Sequence, residues 1–208
     1  MPISPDLVEH LLDATIATIR DHADQLTALD QAIGDGDHGI NMRRGFDALA
    51  ETRDQLAPLP LTEALQKAGM TLVMKVGGAS GPLYGSLLMA MGKAAVPQDA
   101  AGAAAMLGLG IEAVKKRGRS DVGAKTMLDV LVPVQQALQT GAADGAPADA
   151  LIDRIRSVAA DALAATGPML ATKGRASFLG ERSIGHLDPG ARSSMLLIDA
   201  VCDVMARR

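Results

Sequence analysis

Ser4-Pro5-Asp6-Leu7-Val8-Glu9-His10-Leu11-Leu12-Asp13-Ala14-Thr15-Ile16-Ala17-Thr18-Ile19 sets the fold class. Ser4, Pro5 and Asp6 read as an N-cap, a proline on the first turn and an acid at the positive helix end. Leu7, Val8, Leu11, Leu12, Ile16 and Ile19 then recur at three and four residues, the spacing of one helix face. Leu26 and Leu29 carry that stripe to Asp30, where a glycine-rich break runs from Gly34 to Gly39. The same alternation of apolar helical stripe and small-residue break repeats down the chain. Helices are predicted over 40–56, 62–76, a segment carrying Leu83, Leu87, Leu88 and Met91, a segment from Pro97 to Gly118, 126–139, 147–165 and 190–205. Pro133 is expected to kink the sixth.

Composition agrees with an all-α chain. Among 208 residues, 37 are alanine and 11 methionine, while Phe46, Phe178 and Tyr84 are the only aromatics. Alanine and methionine favour helices, and the strand-forming aromatics are nearly missing. Eight helices of similar length joined by short links predict an up-down antiparallel barrel or bundle. No composition shift marks a boundary, so residues 1–208 are expected to form a single domain.

Several function classes drop out. A net charge of −4 and a pI near 5.5 oppose nucleic-acid binding, which needs a basic face. Cys202 alone makes no internal disulfide, and no Cys/His set has zinc spacing. Neither a signal peptide nor a membrane-spanning run is evident, so a soluble, cytoplasmic protein with no membrane partner is expected.

The chemistry concentrates in loops. Asp30, Asp35 and Asp37 crowd three carboxylates into Asp-Gln-Ala-Ile-Gly-Asp-Gly-Asp. They repel one another unless a cation neutralises them, and hard divalent ions with oxygen ligands do so. The competing possibility is a solvated turn in which Asp37 caps the second helix. Gly34-x-Gly36-x-x-Gly39 matches a dinucleotide fingerprint by letter, but a helix precedes it where a strand is required. Gly118 to Thr126 resembles a P-loop with one residue inserted, again without a strand. Both motifs are rejected.

Gly77-Gly78-Ala79-Ser80-Gly81 leads into a helix whose N-terminus offers free N–H donors to an anion. The 173–194 stretch carries Lys173, Arg175, Arg182, His186 and Arg192, and forked guanidinium groups suit phosphate oxygens. With alternating helices, the loops 30–39, 77–82, 118–125 and 173–190 gather at one end.

Taken in order, Gly34-Asp-Gly-Asp-His-Gly39 with Asn41-Met42 and Arg44-Gly45, Gly77-Gly-Ala-Ser-Gly81, Lys125-Thr-Met-Leu-Asp129 and Arg175-Ala-Ser-Phe-Leu-Gly-Glu-Arg-Ser-Ile-Gly-His-Leu-Asp-Pro-Gly190 resemble the DhaL family. These are the ADP-binding L subunits of bacterial dihydroxyacetone (glycerone) kinases. The resemblance implies an eight-helix antiparallel barrel with ADP or ATP across one end. It implies two Mg²⁺ ions on Asp30, Asp35 and Asp37. It places nucleotide contacts at His38, Gly39, Ile40, Asn41, Ala79, Ser80, Gly118, Met127, Arg175, Asp188, Pro189 and Gly190, with Arg175 assisting transfer. Phe178 stands where the family often has tyrosine, and Ala124 where it often has an acid.

The implied activity is phosphoryl transfer. A phosphocarrier M subunit supplies phosphoenolpyruvate-derived phosphoryl groups, and a separate K subunit holds the ketose covalently on a histidine. Alternatives are an ATP-exchanging subunit for another short ketose such as erythrulose, and a nucleotide-loaded module that regulates a transcription factor.

Overall fold

The computed structural model describes residues 6–208, so the cap expected at Ser4 and Pro5 lies outside the described residues. Among the described residues, nine α-helices and one 3₁₀ segment account for the regular structure, and there is no strand. They are α1 (Leu7–Ile33), α2 (His38–Glu51), α3 (Arg53–Leu56), α4 (Leu61–Lys75), α5 (Ser80–Met91), α6 (Ala100–Gly118), α7 (Leu128–Ala143), α8 (Ala148–Ala165), the 3₁₀ segment Arg175–Ser183, and α9 (Pro189–Ala206). Eight are long, and α3 is a single turn.

The long helices form a ring. Each packs on the next in the order α1, α2, α4, α5, α6, α7, α8, α9, and α9 returns to α1. The stripe of α1 faces inward as its spacing predicts, with Ile19 and Leu26 fully buried. Met42, Phe46 and Leu49 meet it from α2, and Leu72, Tyr84, Ile111, Leu128 and Leu196 complete one core from the other walls. Val130, Ile155, Ala159 and Ala191 form a second core between α7, α8 and α9. Small residues let walls close tightly. A Cβ on Gly69 would sit 2.8 Å from the Gly85 carbonyl, and one on Gly85 would sit 2.7 Å from the Gly69 carbonyl. That reciprocal approach is why α4 and α5 are the most intimate pair in the ring.

Several boundaries differ from the sequence expectation. The helix expected over 40–56 breaks at Thr52, whose hydroxyl donates to the Ala48 and Leu49 carbonyls and turns the chain into α3. Such back-bonding competes with the helical ladder. The sixth α-helix begins at Ala100 rather than Pro97, because the Asp99 carboxylate accepts from the Gly102 N–H, 2.7 Å away. At its other end the helix stops at Gly118 as expected, and the left-handed residue that follows it is Arg119, with φ 47°. The seventh helix runs past Pro133 to Ala143, shortening the link expected between 139 and 147.

Up-down alternation puts the connections 34–37, 76–79, 119–127 and 166–188 at one end. The links 52–60, 92–99 and 144–147 lie at the other. The 3₁₀ segment is pinned to the first end by Ala171 and Ala176 against Ile33.

Candidate active site

Asp30 sits on the last turns of α1 and is buried. Its Oδ2 accepts from the backbone N–H of Asp37 at 2.9 Å and of His38 at 3.1 Å. Thus Asp30, not Asp37, satisfies the free donors that open α2. Asp37 occupies the N-cap position without a side-chain cap bond, so the capping role considered for it is not what the structure shows. The hairpin between the helices needs glycine at position 34, where a Cβ would overlap the Asp30 carboxylate.

This folding back brings carboxylate oxygens of Asp30, Asp35 and Asp37 within 4.8 Å of one another. Burial pushes the Asp30 carboxyl above its ordinary range. The two N–H bonds pull it down, and the charges of Asp35 and Asp37 push it up again. Repulsion among hard oxygen donors is what a divalent cation removes, so this donor set fits Mg²⁺.

The Gly77-Gly78 turn faces the cluster. Its Gly78, at φ 63°, would place a Cβ 3.5 Å from Asn41 Nδ2 and 3.8 Å from Asp37 Oδ2. Asn41 is buried, and its Oδ1 accepts from Arg44 Nη2 at 2.6 Å. From the far side Arg175 Nε reaches Asp35 Oδ2 at 3.0 Å. Three of the four loops therefore meet at the acids.

Beside them opens a cleft of about 320 Å³, lined by Ala79, Pro82, Leu83, Val114, Gly118 and Met127, with Arg117 and Lys173 at its edge. Apolar walls with charged residues at the rim suit a flat heterocycle carrying anionic groups. Gly190 adjoins this wall, since a Cβ there would lie 3.5 Å from the Met127 N. Ala79, Gly118, Met127 and Gly190 thus form one border, and Asp30, Asp35, Asp37 and Arg175 the other. Ser80 begins α5 between them.

Other predicted residues are placed differently. His38 is buried, with Nδ1 2.9 Å from Ser80 Oγ and Nε2 2.9 Å from Ser193 Oγ. Burial lowers its pKa to about 4, a Pro189 contact opposing, so the ring is neutral and joins α2, α5 and α9. Gly39 lies buried against α1, while Ile40 turns its side chain half into solvent. Asp188 and Pro189 are buried at the start of α9. The Asp188 carboxylate accepts from the Ala191 N–H at 2.7 Å, and burial pushes its pKa up to about 7.

A buried polar layer beneath the site escaped the sequence. Tyr84 OH lies 2.7 Å from Ser193 Oγ and 2.9 Å from Ser194 Oγ. Asp129 Oδ1 and Oδ2 accept from the N–H groups of Gly123 and Thr126, and thereby shape the turn before Met127. Lys125 is buried as well. Asp129 and Lys125 belong to the 125–129 stretch of the sequence, whose spacing alone does not reveal these partners. As expected from the rejected motifs, helices precede both glycine-rich loops. No helix among the described residues is long and apolar enough to cross a membrane.

A closed helical barrel bearing a carboxylate cluster and an apolar cleft at one end defines a class of helical domain. The chain belongs to the DAK2 domain family, which it matches over residues 32–203. It is 48% identical over 185 residues to the PEP-dependent dihydroxyacetone kinase 1, ADP-binding subunit DhaL, of Listeria innocua, covering 88% of each chain. It is 40% identical over 179 residues to the corresponding DhaL of Escherichia coli K12, covering 85% of each. The solved dihydroxyacetone kinase of C. freundii superposes with a TM-score of 0.70 at 26% identity; 98% of this chain covers 35% of that one. The DhaL resemblance is thereby established, and these relatives are kinases or kinase subunits.

Proposed function

We propose that this chain is the nucleotide-carrying L subunit of a dihydroxyacetone kinase. It holds ADP or ATP across the four-loop end, through two Mg²⁺ ions on Asp30, Asp35 and Asp37. The observation that carries this is the convergence of those carboxylates within 4.8 Å, next to a cleft lined by Ala79, Gly118 and Met127. The ADP-binding DhaL names of the relatives support it.

The roles follow from position. Ser80 and the Gly77-Gly78 turn offer donors to the phosphates, with Arg175 as a cation beside them. The apolar wall from Ala79 to Met127 takes the base, and the backbone of Asp188, Pro189 and Gly190 closes that side. The first turn of α2, His38 to Asn41, lies against the phosphates. Bound Mg²⁺ supplies charge neutralisation on the phosphoryl oxygens, which is most of what phosphoryl transfer requires of a protein. The nucleotide serves as a cofactor, with transfer running from an M-type phosphocarrier to a ketose held on a K subunit.

The nucleotide content of freshly purified, denatured protein tests this. Near-stoichiometric ADP that survives dialysis with Mg²⁺ is expected. Nucleotide that exchanges freely with ATP would instead assign an ATP-dependent kinase subunit. No binding of either would overturn the proposal.

A further inference from the structure

Lys125 combines features that oppose one another. Its side chain is among the most buried in the protein, at 1% exposure, and burial lowers its pKa while Asp188 opposes the shift. Its backbone is left-handed, with φ 61°, a conformation that a glycine would adopt without cost. Among the described residues no carboxylate forms an ion pair with it.

Its Nζ instead donates to three backbone carbonyls: Ser183 at 2.6 Å, Met169 at 3.1 Å and Gly167 at 3.3 Å. An ammonium has three N–H groups and no acceptor, whereas a neutral amine would turn a lone pair onto one of these oxygens. Three carbonyls therefore call for the charged form. The same oxygens and their neighbours organise the return loop. Gly167 O also accepts from Gly185 N, 2.9 Å away, and Ser183 Oγ accepts from Ala171 N at 3.0 Å. Two residues further along the chain from Lys125 lies Met127, in the cleft wall.

We propose that Lys125 is a positioning residue whose ammonium acts as an internal cation, tying the 166–188 loop, which carries Arg175, to the 119–127 loop, which carries Met127. Strain at φ 61° is retained because the side chain must start from that backbone to reach the three carbonyls. The part concerning nucleotide affinity rests on the function proposed above; the tether itself does not.

Lys125→Gly is the informative variant, because it relaxes the backbone while removing the ammonium. Amide hydrogen exchange in the ligand-free protein, and Mg·ADP affinity by calorimetry, are measured with and without added propylamine. Losing three charge-assisted hydrogen bonds is expected to speed exchange across 167–185 by at least about tenfold, leaving α1 to α7 unchanged. Mg·ADP affinity is expected to fall by roughly tenfold or more, and propylammonium to restore both readouts. Lys125→Met, which keeps the stem without the charge and so leaves no room for the amine, is expected to show the same faster exchange without rescue, even where the glycine variant folds poorly. Wild-type exchange over 167–185 in Lys125→Met, or loss in a folded Lys125→Gly that the amine leaves untouched, would overturn the tether. Absent ADP binding by the wild type would sink the nucleotide function instead, with the exchange data still judging Lys125.

Discussion

Arg175 Nε stands 3.0 Å from Asp35 Oδ2, so a guanidinium neutralises part of the acidic cluster from a loop about 140 residues away in the chain. Both side chains are substantially exposed, 70% and 43%, and a pair of that kind contributes little to stability. The contact therefore bears on what occupies the site. Arg175→Ala is expected to leave the melting temperature unchanged and to strengthen Mg²⁺ binding without nucleotide by up to about fivefold, because a competing cation is gone. Mg·ADP binding is expected to weaken in the same variant. Titration calorimetry with Mg²⁺ alone, then with ADP, separates the effects, and unchanged values in both would remove Arg175 from the site.

The three aspartates should separate by burial. Asp35 and Asp37 are largely solvent-facing, so Asp35→Ala and Asp37→Ala are expected to fold normally while losing Mg²⁺-dependent ADP binding. Asp30→Ala orphans the N–H groups of Asp37 and His38 and is expected to cost about 1–3 kcal/mol besides. Urea denaturation with ADP titration on the three variants checks this. Full ADP affinity in either exposed variant would defeat the metal assignment.

Close helix approach makes a third expectation. A Cβ on Gly85 or Gly69 meets the backbone of the opposite helix as well as a side chain, Val73 or Met89, so a rotamer change alone does not relieve the overlap. Gly85→Ala is expected to destabilise by about 1–3 kcal/mol through overpacking, without touching the loops at the site end. A stability equal to wild type would show that α4 and α5 part more easily than their contact suggests.

Two buried titrating groups oppose each other. Asp188, at about 7, keeps a proton that the unfolded chain releases near 4, so its contribution to stability falls as pH rises from about 4 to 7. His38, at about 4, lacks a proton that the unfolded chain carries up to about 6.5, so its contribution rises with pH over nearly the same window. Each slope approaches about 1.4 kcal/mol per pH unit in mid-window. Relative to wild type, Asp188→Asn is expected to gain stability as pH rises there, and His38→Gln to lose it. Denaturation curves across the window, with chelator present, decide the matter; identical pH profiles for all three proteins would contradict it.

Much of this is legible in the sequence alone. The stripe from Leu7 to Leu26 shows α1 because a 3.6-residue period survives any context, and glycine clusters mark where helices end. The acidic cluster was legible because three carboxylates within eight residues have few other reasons to stand together. What escaped depends on distant partners. Tyr84 and Ser193 are 109 positions apart, Lys125 and Ser183 are 58 apart, and no local pattern announces either pair. Thr52 escaped for the opposite reason: a single hydroxyl outweighed a helical stripe that continued through it.

Closure of the ring by α9 on α1 makes the order of the chain partly arbitrary. Arg208 Nη2 comes within 3.9 Å of Asp6 Oδ2 at the end away from the acids, and Gly145, at φ 66°, stands in open space at that same end. A circularly permuted polypeptide that starts at Ala146, with a short linker joining Arg208 to the region of Asp6, would retrace every helix–helix contact. All four site loops would stay uncut. The barrel can thus be re-entered from a new starting point without disturbing the chemistry at its mouth.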